Sequence, residues 1–254
     1  MKEPSSKSDQ ETPLPFIAPT RTLTYGAPLR WLKLGFSDMK KAPGVSLGYG
    51  LVFAMVSLGI AAATWWMGTL GLYLGLAGGF FLVGPVLAIG LYSFSRQIEK
   101  GLVPELGYCL RRARSHFGDL MIFSFVLLII FMIWARAATA LHIFFPANVD
   151  HEWSELILFL GVGSAIGAVF SGIVFLAGAF SLPMIMDRKA DAITAVLSSA
   201  HAVLRNKKVM LLWGSMIVTL VLIGMFTIIG LIFVLPLTGH ATWHAYRETI
   251  DASP

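Results

Sequence analysis

The chain has 254 residues, 56% of them hydrophobic and only 13% charged, with a formal net charge of +5. A soluble domain carries about 25% charged residues, so this much apolar sequence cannot be hidden in one aqueous core of this size. The basic excess reads as membrane topology rather than as a nucleic-acid surface, because no aromatic–basic ladder or nucleic-acid motif accompanies it. The single cysteine, Cys109, excludes a disulfide within the chain and leaves too few thiolates for a structural zinc or iron–sulfur site.

Residues 1–28 are polar and carry Pro4, Pro13, Pro15, Pro19 and Pro28. They read as a disordered cytoplasmic tail, and no apolar stretch with a small-residue cleavage site marks a removable signal. A first membrane span is expected over 45–66. From Ser46 to Phe94 there are 49 residues without a charge, which as one helix would measure about 74 Å. The stretch must fold back, and Trp65-Trp66-Met67-Gly68 is the natural turn, giving a second span over 70–94. A third runs over 119–141 and a fourth over 156–183. The last apolar block, 209–246, would be about 57 Å long as one helix. It reads as two short spans, 209–224 and 227–246, turning near Gly224–Phe226, with five spans in all as the alternative. A short cytoplasmic tail, 248–254, follows.

The expected fold is therefore an all-α polytopic bundle of six spans in three hairpins. Charge gives it a direction. Eighteen of the 19 Lys and Arg residues fall before span one, after span two, after span four or at the C-terminus. The opposite side carries Asp150, Glu152 and Glu155. Basic residues collect on the cytoplasmic side, which places both termini in the cytoplasm.

Each hairpin is preceded by an amphipathic segment expected to lie in the membrane interface. The apolar positions are Leu29, Leu32, Phe36 and Met39 in the first. In the second they are Leu106, Cys109, Leu110, Ala113 and Phe117. In the third they are Ile193, Val196, Leu197, Ala200, Val203 and Leu204. Each returning span carries a proline near its cytoplasmic end: Pro85, Pro183 and Pro236. Proline frees a backbone carbonyl, which needs a partner inside the bundle. Gly71, Gly75 and Gly79, and Gly163, Gly167 and Ser171, recur every four residues and predict close helix packing.

Candidate functional residues are few. Arg136 is the one basic residue inside a span, and intramembrane charges are functional suspects; it lies near the outer edge, where it can snorkel to phosphates. His240 and His244, four apart, share a helix face that could hold a metal or haem iron, with His201 as a third ligand. Asp187 and Arg188 could form a charged lock under the bundle with Asp191 or Arg96, or simply a solvated helix cap. No Ser/His/Asp grouping, phosphate loop or carboxylate pair is apparent, so an enzyme is not expected, and neither is a cofactor.

Several strings stand in order: Ser46-Leu-Gly-Tyr-Gly50, Gly84-Pro-Val-Leu-Ala-Ile-Gly-Leu-Tyr-Ser-Phe-Ser-Arg96, Ser181-Leu-Pro-Met-Ile-Met-Asp-Arg188, Val203-Leu-Arg-Asn206 and Gly239-His-Ala-Thr-Trp-His-Ala-Tyr-Arg247. With these the chain resembles, over about residues 29–250, the integral membrane family named domain of unknown function 2189. The resemblance implies a bacterial inner-membrane protein, α-helical and without an established activity, so no catalytic residue carries over. The expected function is a non-enzymatic scaffold or assembly protein. Its partners are the lipid bilayer and a membrane protein or a second copy of itself, and not nucleic acid. A small-molecule or lipid transporter built on the repeats is the alternative, and a histidine metal or haem site the third reading. A packed centre argues against transport; a continuous polar cavity reaching Arg136 argues for it.

Overall fold

Three shorter helices each run into an apolar helix through a single residue. In the computed structural model, which describes residues 17–67, 88–144, 153–188, 190–227 and 229–250, α1 (Ala27–Lys41) meets α2 (Pro43–Met67) at Ala42. A third helix, α3, covers the described residues 88–99. Helix α4 (Leu106–Ser115) meets α5 (Phe117–Phe144) at His116. After α6 (Trp153–Gly178) and α7 (Ser181–Arg188), α8 (Ala192–Arg205) meets α9 (Lys207–Thr227) at Asn206, and α10 (Ile229–Thr249) closes the chain. Pro85, most of the second expected span, the Gly71/Gly75/Gly79 repeat, Asp150 and Glu152 lie outside the described residues.

The three bends are alike. Ala42, His116 and Asn206 have φ/ψ of −134/60°, −118/19° and −113/31°. All three are buried. In each case the bend carbonyl accepts the N–H four residues on, from Ser46, Leu120 and Met210, at 3.1, 3.0 and 2.9 Å. The hydrogen-bond ladder thus restarts at once, while the axis turns. Lys40 and Lys41 at the end of α1 and Arg205 at the end of α8 oppose the negative end of each helix dipole.

Four stretches among the described residues are long and apolar enough to cross a membrane: Pro43–Ala63, Phe117–Leu141, Trp153–Arg188 and Lys207–Thr227. The first, third, fourth and fifth expected spans fall on them. Helix α10 is apolar in its first half only, because His240, His244, Arg247 and Glu248 occupy its second. The last apolar block does fold back on itself, but between Thr227 and Ile229 rather than at Gly224–Phe226. Thr227 sets the turn: its hydroxyl donates to the Gly224 carbonyl at 3.2 Å and accepts the Gly230 N–H at 3.1 Å. A Cβ on Gly230 would stand 2.9 Å from the Gly224 Cα, so the two helices meet backbone to backbone just beyond it.

The stretch Trp153–Arg188 is interrupted at Ala179–Phe180. Pro183 accounts for this, since it lacks the N–H that would bond to Ala179. The break is stitched from α8: the Ser199 hydroxyl donates to the Leu176 carbonyl at 2.9 Å and accepts the Phe180 N–H at 3.1 Å. Pro183 therefore sits in the first turn of a new, buried helix rather than in a continuous kinked one.

The amphipathic stripes split between two faces. Met39 on α1, Cys109 and Ala113 on α4, and Val203 on α8 are buried. Leu29, Phe36, Leu106, Leu110, Phe117, Ile193, Leu197 and Leu204 are exposed. Beside Trp31 and the buried members of the stripes, the inward faces carry many small residues, which let backbones approach closely. Helix α8 buries Ala192, Ala195, Ser198, Ser199 and Ala202. At the α1–α10 crossing a Cβ on Gly35 would lie 2.7 Å from the Ala241 nitrogen.

Residues 17–24, assigned by composition to the disordered tail, lie as a strap along α8 and α10. Ala18 donates its N–H to the Ser198 hydroxyl at 3.0 Å, and Leu23 to the Asn206 carboxamide oxygen at 2.9 Å. The Asn206 NH2 returns a bond to the Arg21 carbonyl at 3.0 Å. Arg21 donates to the Thr249 carbonyl at 2.8 Å, and Thr20 forms an isolated antiparallel bridge with Ile250. Paired backbone groups, more than the few apolar side chains, hold the segment down.

Asp191 caps α8, accepting the Ile193 and Thr194 N–H groups at 3.0 and 2.9 Å. Hydrogen bonds from Thr194, hydroxyl and backbone, and from Ile193 hold its carboxyl below the ordinary range. Its stabilisation is therefore present at neutral pH and is lost as the pH falls through the lowered folded-state value. Asp191→Ala should cost about 1 kcal/mol at pH 7. Thermal melts of the two proteins should converge once the pH is low enough to protonate Asp191 in the folded state, below the ordinary carboxylate range; a gap unchanged there would refute the cap.

Candidate functional site

The second half of α10 is polar on every side, yet it is among the most buried segments of the molecule. Helix α10 packs against α1, α2, α7 and α9. Each polar side chain meets a partner from a different direction, which is how a helix of this composition is accommodated inside a core.

On one side His240 is fully buried between two hydroxyls: Nε2 lies 2.9 Å from Ser46 Oγ and Nδ1 lies 2.7 Å from Ser95 Oγ. A neutral imidazole donates through one nitrogen and accepts through the other, so both hydroxyls are satisfied at once. One turn on, His244 Nε2 stands 2.7 Å from Asp38 of α1. Trp243 donates to Glu99 at 3.0 Å, and Arg247 to the other oxygen of that carboxylate at 3.1 Å. Glu248 accepts from the Trp31 indole at 2.8 Å and also pairs with Arg30. Beneath this layer Trp31 and Trp213 pack edge to face, with ring centroids 5.4 Å apart, beside buried Phe123 and Phe180.

Three arginines link the segments that end in α3, α7 and α10. Arg96 of α3 donates from Nε to Asp187 of α7 at 2.8 Å. Arg188 of α7 donates to the Tyr246 hydroxyl of α10 at 3.0 Å, and to the Ile250 carbonyl at 3.2 Å. Arg247 of α10 reaches Glu99 of α3. The pairing runs from the first segment to the second, the second to the third and the third back to the first. Tyr246 also donates to Asp187 at 3.2 Å, and Arg247 approaches the same carboxylate at 3.6 Å, so Asp187 is the shared acceptor. Burial works against the Arg96 charge. The hydrogen bond and charge of Asp187, with Tyr108 beyond at 2.9 Å, outweigh it and raise the pKa above the ordinary arginine value.

The residues singled out from the sequence now have places. Asp187 and Arg188 belong to the ring, and Arg96, rather than Asp191, is the lock partner of Asp187. Pro236 lies inside α10, and the Ile232 carbonyl it frees faces Gly50 of α2. Arg136 is exposed on α5, far from this layer in sequence. His240 and His244 have their nitrogens engaged as described, and His201 is exposed on α8. Among the described residues no three His, Cys, Asp or Glu side chains come together as a metal site.

Sequence reasoning missed Asp38, Ser46, Ser95, Glu99, Tyr108 and Glu248. For Asp38 a signal existed: it shares a face with Trp31 and Gly35, seven and three residues before it. It also missed that Ser46, His240 and Ser95 converge from three helices. A hydroxyl on an imidazole nitrogen is the pairing a nucleophile needs, but all three side chains are fully buried, and an acyl or phosphoryl group cannot reach them.

Cys109 is enclosed as well, donating to the Glu105 and Gly90 carbonyls at 3.3 and 3.8 Å. Burial pushes its thiol pKa up, only partly offset by hydrogen bonds from Ser93 and Gln97. It should react with a maleimide far more slowly in the native protein than after unfolding, because the thiol is enclosed and the raised pKa lowers its thiolate fraction. Rapid native labelling, read by mass spectrometry, would contradict this packing.

An apolar groove of about 420 Å³ opens between α5 and α6, lined by Phe131, Trp134, Gly167, Ser171 and Phe175 among others. Gly167 and Ser171 thus border open space; a Cβ on Gly163 would stand 3.4 Å from Leu141, whereas one on Gly167 would meet nothing within 4 Å. The groove is lined by apolar side chains and does not include Arg136.

Neither the search of curated proteins nor that of solved structures gives a match. Residues 72–187 match the family model described as "Predicted integral membrane protein (DUF2189)". That segment contains Arg96 and Asp187, while α10 lies beyond it. Over residues 72–187, then, the chain is similar to the DUF2189 family of predicted integral membrane proteins.

Proposed function

We propose that this protein is a non-enzymatic assembly or scaffold protein of the bacterial inner membrane. It crosses the membrane six times, in three hairpins of one design, with both termini in the cytoplasm. The observation that carries the reading is the packed basic end. Three buried tryptophans, Tyr246 and a closed set of charge pairs fill the place where a translocation path would need an opening. A fixed platform of this kind suits holding a partner, either another membrane protein or a second copy of the chain. The three one-residue bends support the threefold design, since each introduces an apolar helix in the same way.

Two measurements test this. Purification from the native host after in vivo crosslinking should recover a defined partner or an oligomer above the monomer mass. Proteoliposomes should show no flux of a fluorescent lipid or of small solutes above empty vesicles. A stable lone monomer with lipid flux would replace this reading with the transporter, for which the α5–α6 groove is the supporting feature. Orientation needs a reporter other than Cys109. Gly107→Cys in a Cys109→Ala background puts a thiol at an exposed site on α4. An impermeant maleimide should leave it unlabelled in spheroplasts and label it in inverted vesicles.

A further inference from the structure

We infer that the outward faces of α1, α4 and α8 are three equivalent binding surfaces for anionic phospholipid headgroups, in the leaflet at the basic end of the bundle. This goes beyond the assembly reading and does not depend on it.

Position comes first. Each of these helices is separated by one residue from a helix that opens a candidate span. A helix tethered so closely has nowhere to lie except at the boundary between hydrocarbon and headgroups.

Composition comes second. On α1, Leu29, Lys33, Phe36 and Lys40 fall at offsets 0, 4, 7 and 11, one exposed stripe, and Lys40 Nζ sits 4.5 Å over the Phe36 ring. On α4, Leu106 and Leu110 share the outer face with Arg114, and Leu110 is 69% exposed. On α8, Ile193, Leu197 and Leu204 are flanked by Arg205 and by Lys208 just beyond the bend. Long basic side chains set among large apolar ones can bury their stems in acyl chains and lift their charges to phosphate.

Charge complementarity selects the occupant. Asp38 is the one acidic residue within the three helices, and it is turned inward onto His244. The outward faces therefore carry positive charge alone. A protein partner is disfavoured because lysine is depleted from the cores of protein interfaces, whereas here Lys33 and Lys40 lie within the apolar stripe.

The test uses the full chain, purified and exchanged into nanodiscs of phosphatidylcholine with or without 30% phosphatidylglycerol, with retained lipid identified by native mass spectrometry. Phosphatidylglycerol should be retained preferentially, and the preference should fall as ionic strength rises. Each charge near the surface contributes about fivefold to such binding. Lys33→Gln/Lys40→Gln, Arg111→Gln/Arg114→Gln and Arg205→Gln/Lys208→Gln should therefore each weaken their own surface by about tenfold or more, lowering the preferentially retained phosphatidylglycerol by about a third apiece and nearly abolishing it when combined. Lys33→Arg/Lys40→Arg should retain it. Equal retention of the two lipids, a preference indifferent to salt, or a preference that survives all three glutamine pairs would overturn the inference. So would loss of a co-purifying protein from the glutamine variants with lipid preference unchanged. The salt titration of the unaltered protein decides the matter even where a variant fails to fold.

Discussion

Asp187→Ala should destabilise the protein by about 3–5 kcal/mol, the cost of removing one member of a buried ion pair. The carboxylate takes bonds from Arg96 and Tyr246 and lies within reach of Arg247. The side chains of Arg96 and Asp187 are only 12% and 14% exposed. Removing Asp187 leaves the Arg96 guanidinium poorly hydrated and short of its main acceptor, since Tyr108 offers it one hydroxyl. The expected readout is a large drop in the midpoint of chemical or thermal unfolding in detergent. Near-ultraviolet circular dichroism of Trp243 and Tyr246 should show it best. Arg96→Met combined with Asp187→Leu should regain much of the loss, because two apolar side chains of similar volume leave no charge stranded. A wild-type midpoint for Asp187→Ala would mean that the ring is incidental to the fold.

Gly50→Ala should destabilise by about 1–3 kcal/mol through overpacking, and the loss should depend on residue 236. A Cβ on Gly50 would collide with the Ile232 carbonyl. That carbonyl is unclaimed within α10, because Pro236 has no N–H to offer it four residues on. Pro236→Ala restores the donor and draws the oxygen back toward the helix axis. Gly50→Ala should then cost less in a Pro236→Ala background than alone, with a coupling of about 0.5–3 kcal/mol in a double-mutant cycle, as contacting residues show. Strictly additive losses would separate glycine and proline and remove this account of why α2 crosses α10 there.

How far the sequence reaches can be judged residue by residue. Helices α2, α5, α6 and α9 were legible because lipid demands about 20 apolar residues per crossing, and among the described residues these are the helices in the four stretches that satisfy it. The fold-back of the last apolar block was legible from length alone, but not that α9 continues to Thr227, which makes two hydrogen bonds there. The stripes of α1, α4 and α8 were legible as stripes. Which part faces inward was not, because beside Trp31, Met39, Cys109 and Val203 the inward faces carry glycine, alanine and serine, residues that no hydrophobic periodicity marks. The ring was legible only as a lock of Asp187 and Arg188 with Arg96 or Asp191, without Tyr246, Arg247 or Glu99. Its pairings span 91 residues for Arg96–Asp187 and 148 for Arg247–Glu99, and single-sequence patterns carry no information at that range. His240 shows the opposite error. Spacing from His244 suggested a shared ligand face, whereas the two histidines serve different neighbours, one a pair of serines and the other an aspartate.

The strap at residues 17–24 bears on the topology of the chain. Because Arg21 bonds to Thr249 and Thr20 bridges to Ile250, the path of the backbone returns to its own starting point, and the ring of arginines has no first or last member. A circularly permuted protein, joined from Ile250 to Ile17 by a short glycine–serine connector and opened at exposed Gly101, should preserve every pairing around Asp187, Tyr246 and Glu99. The order of the three segments in the gene would then be one of several that specify the same molecule.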